Sequence, residues 1–218
     1  MPAILTPRQI WAIGLNYRDH AAETGKEIPA VPTVFTKAPG SVIGPGDTIV
    51  IPRHVTRPDY EGEVAVVIGA TGRDVSEADA HFLIAGITCA QDVSARDHQY
   101  ATTQWSWSKS FDTFCPLGPD VIPLVDLPTS LDALTIETRL NGDVVQASDT
   151  SHLVFPIPRL IAHLSRGVTL QPGDVILTGT PAGVGMARTP PRWLLDGDVL
   201  EVTVGGVGTL RNRVVRGP

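Results

Sequence analysis

Three times in this 218-residue chain a Gly-Asp pair opens a β-rich run: GPGDTIVIP at 44–52, QPGDVILTG at 171–179 and LDGDVLEVTV at 195–204. Glycine supplies the positive φ of a tight turn, and the aspartate side chain bonds to nearby backbone, so each pair marks the entry to a strand. With 21 glycines and 19 prolines spread along the sequence, the pattern favours many short strands over long helices. The three copies are unequally spaced, which indicates shared turn chemistry rather than a repeat array.

Further strands are expected at 10–14, 33–37, 62–69, 84–93, 135–142 and 208–215. Helical patches are expected at 16–23, stopped by Thr24-Gly25, at 94–101, opened by Ser94, and at 158–165, opened by Pro158 with apolar residues at i, i+3 and i+4. Strands outnumber helices and do not alternate with them, which disfavours a doubly wound α/β sheet. The expected class is α+β and β-rich, with a few short peripheral helices. One domain is expected over residues 10–218 after an N-terminal tail of residues 1–9.

A formal net charge of −6 and a pI near 5.4 give no electrostatic footprint for nucleic acid or an acidic membrane. A small acidic substrate therefore needs local cations, from side chains or a metal. Cys89 and Cys115 form no CxxC and read as two buried, reduced thiols. The start, MPAILTPRQIWAIG, lacks a basic segment followed by a long apolar one, and no window approaches ~18 uninterrupted apolar residues. The expectation is a soluble, cytoplasmic protein.

DYEGEVAVVIG at 59–69 carries the first sign of chemistry. On a strand Asp59, Glu61 and Glu63 share a face, at the rim of a run apolar on both sides. Glu-x-Glu on one face can supply oxygen ligands to a hard cation, or can simply be a charged, solvated edge. Asp92 ends another apolar run, where a carboxylate needs a partner, a metal or a helix to cap. Together Glu61, Glu63 and Asp92 would make a three-carboxylate site open to substrate. His20 and Glu23, three apart on a helix, could be a general base and its orienter, or an ordinary surface pair. Lys109, among Trp105, Trp107, Phe111 and Phe114, would be partly desolvated and available to an anion. LTGTPAGVG at 177–185 could hold a carboxylate on backbone N–H groups, but lacks the Lys-Ser/Thr of a phosphate loop.

In this order the motifs GLNYRDH (14–20), YEGEVAVVIG (60–69), DVSARD (92–97), KSFD (109–112), GDVILTGTPAGVG (173–185) and DGD (196–198) resemble the fumarylacetoacetate hydrolase family. The resemblance implies a mixed β-sheet rolled into a barrel-like core, usually a homodimer. It implies Mg²⁺ or Mn²⁺ held by Glu61, Glu63 and Asp92, with residues 16–27 as a lid carrying His20 and Glu23. The activity implied first is hydrolytic C–C cleavage of 2,4-dioxo acids of the acylpyruvate or fumarylpyruvate type through a metal-stabilised pyruvate enolate. In that scheme His20 activates water, Lys109 and Gln99 stabilise the oxyanion, and Arg96 with Thr180 hold the substrate carboxylate. Oxaloacetate decarboxylation, or isomerisation of unsaturated 2-oxo diacids, would use the same metal site. An idle dicarboxylate-binding member, or an enzyme for a small amide or ureido acid, are the competing classes. Trp107-Ser108, ahead of Lys109, depart from the basic residue or glycine common there and are expected to shape the distal pocket.

Overall fold

The computed structural model describes residues 5–217. Its strands are Ile10–Gly14 (β1), Thr33–Lys37 (β2), Val42–Ile43 (β3), Thr48–Ile51 (β4), Pro58–Asp59 (β5), Gly62–Ile68 (β6) and Ile84–Gln91 (β7). Ser94–Ala95 (β8), Cys115–Ile122 (β9), Thr135–Leu140 (β10), Asp143–Asp149 (β11), Val175–Leu177 (β12), Val199–Val204 (β13) and Gly208–Arg216 (β14) follow. The α-helices are Arg18–Glu23 (α1), Arg96–Gln99 (α2) and Ile157–Gly167 (α3).

The three Gly-Asp turns are built alike. Gly46, Gly173 and Gly197 take φ of 81°, 86° and 87°. The aspartate after each accepts the N–H three residues back: Asp47 from Gly44, Asp174 from Gln171, Asp198 from Leu195. They launch β4, β12 and β13, so the turn chemistry fixes the starts of strands in both large sheets.

A seven-stranded mixed sheet runs β2-β1-β12-β6-β7-β9-β3, and a five-stranded one runs β11-β10-β13-β14-β4. β6 is buried along its whole length. Its Val64, Val66 and Ile68 face the five-stranded sheet and α3, meeting Ile136, Val202, Leu160 and Ile161. Its Ala65 and Val67 face the other way, into a second core with Ile10, Ala12, Val175, Leu177 and Leu117, around which the seven-stranded sheet curls into a half-barrel. Helix α3 turns Ile157, Leu160, Ile161 and Leu164 inward, as its period predicts.

Several expectations needed revision. β9, with sequence CPLGPDVI, hides behind two prolines, and β11 carries too few β-branched residues to stand out. The helices predicted at 16–23 and 94–101 shorten to Arg18–Glu23 and Arg96–Gln99. Asp59 does not share a strand face with Glu61 and Glu63, because the ladder breaks between β5 and β6. Cys89 and Cys115 are buried and unbridged, and burial pushes each thiol up to about 12. Among the described residues no helix is long and apolar enough to cross a membrane.

Candidate functional site

Antiparallel pairing of β6 with β7 sets Gly62 opposite Gln91 and Glu63 opposite Ala90. One step beyond, Asp92 N–H bonds to Glu61 C=O at 2.8 Å, so the ladder itself delivers Asp92 to the two glutamates. Carboxylate oxygens of Glu61, Glu63 and Asp92 lie within 4.8 Å of one another, all three buried. Opposite ligands of a Mg²⁺ ion stand ~4.2 Å apart, so these residues fit a hard divalent cation after closing by less than ~1 Å.

Three buried carboxylates, Asp59, Glu61 and Asp92, interlock with three buried cations, and Glu63 lies beside them. Lys109 Nζ donates to Glu61 Oε2 (2.6 Å), Asp92 Oδ2 (2.5 Å) and Ser94 Oγ (2.8 Å). These use all three of its protons. Arg96 donates Nε to Asp59 (2.9 Å), Nη2 to Glu61 (2.5 Å) and Nη1 to Gln99 (2.9 Å). Lys37 Nζ meets Asp92 Oδ1 at 2.6 Å and also donates to the Lys109 carbonyl. Asp59 accepts further from the N–H groups of Tyr60, Gly185 and Met186. Its cation is Arg96, not the neighbouring Arg57.

Counted as fully ionised, Asp59, Glu61, Glu63 and Asp92 exceed Lys37, Arg96 and Lys109 by one negative charge. A single proton would balance that excess, and Glu63 is the carboxyl of the three-acid cluster whose surroundings favour holding it. Burial, then the Asp92 and Glu61 charges, push its carboxyl well above the usual range. For Glu61 burial acts in the same direction, but Arg96 and then Lys109 outweigh it and hold the group well below that range. Burial would lower Lys109, yet Asp92 and Glu61 reverse this and keep it cationic.

The segment expected as the lid contains α1, and His20 lies on its buried face, with Nδ1 3.3 Å from Glu23 Oε2. Glu23 Oε1 accepts the Gly183 N–H at 2.8 Å, tying the lid to the Gly-rich turn. That turn needs glycine: Gly183 has φ +105°, and a Cβ there would stand 2.0 Å from the Val145 carbonyl. Arg18 bonds to the Leu153 carbonyl and Asp19 to Ser148, so the lid is pinned from three sides. Gly179 N–H donates to Glu63 Oε2 at 2.6 Å, and Thr180 bonds to Gly62 C=O and Gln146. Among the described residues, His20, Lys109, Arg96, Gln99 and Thr180 line one small cavity of about 30 Å³ together with the three carboxylates, and Glu23 stands behind His20.

The aromatic wall differs from expectation. Trp107 is 71% exposed and does not line this cavity; Trp105 and Phe35 do, with Lys109 Nζ 5.1 Å from the Phe35 centroid. Sequence reasoning also missed Lys37, whose signal was a lysine closing a β-branched and aromatic strand, and Gln146, which lies on the unpredicted β11.

A family model described as Fumarylacetoacetate (FAA) hydrolase C-terminal matches residues 9–215. The chain belongs to the fumarylacetoacetate hydrolase family. An oxaloacetate tautomerase of Bacillus subtilis, YisK, is 45% identical over 210 residues, spanning 95% of this chain and 69% of its own. A 5-carboxymethyl-2-hydroxymuconate delta-isomerase from Mycobacterium smegmatis superposes with a TM-score of 0.87 at 43% identity, covering 99% of this chain and 81% of that one. A fumarylacetoacetate hydrolase from Exiguobacterium antarcticum superposes at 0.89 and 40% identity, covering 98% and 76%. The fumarylacetoacetate hydrolase fold thus accounts for the half-barrel. The relatives' names favour the isomerase alternative over the hydrolase expected first.

Proposed function

We propose that the protein is a divalent-cation-dependent tautomerase of 2-oxo diacids of the oxaloacetate type, moving a proton between C3 and the 2-oxygen. The observation that carries this reading is the placement of a His-Glu pair and three clustered carboxylates around one small cavity. Tautomerisation needs no attacking water and expels no fragment, so it suits a site that closes tightly. Relatives named as a tautomerase and an isomerase support the same choice.

Glu61, Glu63 and Asp92 would hold the cation, which supplies Lewis-acid polarisation of the 2-oxo group. With Nδ1 engaged by Glu23, His20 Nε2 is the nitrogen free to take the C3 proton. The C3–H electron pair becomes the C2=C3 bond, and the carbonyl pair moves onto the 2-oxygen. Lys109, fixed by three acceptors, keeps positive charge beside that oxygen without reorganising. The imidazolium then returns its proton to the oxygen, giving the enol, and the reverse sequence regenerates the ketone. Hydrolysis of a 2,4-dioxo acid is the second reading, favoured by the hydrolase name at 40% identity, and it asks His20 to activate water instead.

The test follows the ultraviolet decay of enol-oxaloacetate with Mg²⁺ and with EDTA, alongside pyruvate release from acetylpyruvate and oxaloacetate. Tautomerisation should exceed the buffer rate only with Mg²⁺, and His20→Ala should lose ~10²–10⁴-fold, the usual worth of a general base. Rapid pyruvate release from acetylpyruvate without accelerated tautomerisation would replace this reading with the hydrolase.

A further inference from the structure

A diacid substrate brings two carboxylates, and the cations at the floor of the cavity are already occupied. Lys109 has spent its three protons on Glu61, Asp92 and Ser94, and Arg96 directs Nε and both terminal nitrogens to Asp59, Glu61 and Gln99. Among the described residues, the one other cation lining this cavity is Lys26, and it forms no ion pair.

Its placement is set by the end of the lid. Gly25, with φ +62°, donates its N–H to Ala22 C=O, and Lys26 N–H donates to Ala21 C=O. These two bonds form a Schellman cap, which fixes the backbone at Lys26 to the lid helix. The ammonium stands 6.0 Å from the ring centroids of both Tyr100 and Trp105, which line the same cavity. Two aromatic faces at the edge of cation–π range hold it above the mouth while leaving its protons free. Arg57 is the rival, being exposed and without an ion pair among the described residues. It does not line this cavity but lines a neighbouring hollow that shares Arg96, Tyr100 and Met186 with it.

We propose that Lys26 is the subsite for the second carboxylate of a dianionic 2-oxo acid, so that closing the lid and recognising the diacid are one event. This rests on the 2-oxo diacid reading above and adds the residue that selects diacids over monoacids.

The matched pair is oxaloacetate and 2-oxobutyrate, which differ by a carboxylate in place of a methyl. Calorimetric titration of both into the Mg²⁺-loaded wild type, Lys26→Gln, Lys26→Arg and Arg57→Gln reads binding whether or not turnover occurs. Lys26→Gln should weaken oxaloacetate about tenfold and leave 2-oxobutyrate unchanged, with Lys26→Arg recovering to within about threefold. Raising ionic strength should shrink the wild-type preference for the dianion. Equal weakening of both ligands, no weakening, or loss of the preference in Arg57→Gln would overturn the assignment. A protein that binds oxaloacetate through Lys26 yet does not tautomerise it fails the proposed reaction and not the subsite.

Discussion

Replacing Lys37 by methionine tests how the acidic cluster is held. Lys37 is 1% exposed, and its ammonium bonds to Asp92 Oδ1 and to the Lys109 carbonyl. Methionine keeps the length of the side chain and removes its charge, so the cluster's excess of one negative charge, counted as fully ionised, becomes two. Removing one partner of a buried pair costs about 3–5 kcal/mol, because the remaining charge stays buried. For a chain of this length each kcal/mol moves the melting temperature by about 2–4 °C, giving an expected fall of about 6–20 °C. The same excess charge should make the variant respond more to added cation, so Mg²⁺ should raise its melting temperature by more than it raises the wild type's. Scanning calorimetry with and without Mg²⁺ measures both. A melting temperature within about 2 °C of wild type, with an unchanged Mg²⁺ response, would show that Lys37 does not carry this charge.

Two further outcomes follow from the same geometry. Glu63 has a folded-state pKa above its unfolded value, so the penalty of ionising it is absent below pH ~4.5 and grows as pH rises through the raised value. A cation must displace that proton, so Mg²⁺ affinity should increase with pH across this window and release about one proton per ion. Titrations in buffers of different ionisation enthalpy read the release, which should vanish with the binding in Glu63→Gln; an affinity flat with pH contradicts the assignment. Gly183→Ala forces a side chain into φ +105° and against Val145, and it disturbs the Glu23 latch. It should cost at least ~2 kcal/mol and speed hydrogen exchange in Arg18–Glu23, whereas wild-type exchange there would show that Glu23 does not hold the lid.

How much was legible depended on whether the signal was local. The Gly-Asp turns, the strands at 10–14 and 33–37 and the alternation of β6 were readable because turn chemistry and period-two burial are written in neighbouring residues. The trio Glu61, Glu63 and Asp92 could be guessed because two apolar runs each ended in acid, and β6–β7 pairing then brought the ends together. The partners were not legible. That Asp59 would take Arg96 instead of the nearer Arg57 depends on where α2 folds back across β5, and Lys37 reaches Asp92 across 55 positions. Trp105 and Trp107 flank the same serine, Ser106, and only the chain's turn decides that Trp107 faces solvent and Trp105 the cavity.

The six ion-paired side chains beneath the cavity also constrain how such an enzyme can change. Altering any one of them strands a counter-charge in the interior, so a viable route must exchange residues in compensating pairs, such as Asp59 together with Arg96. Lys26, Tyr100 and Met186 at the mouth carry no such debt to one another. New substrates are therefore reachable by single steps at the rim, while the chemistry below is inherited as a block.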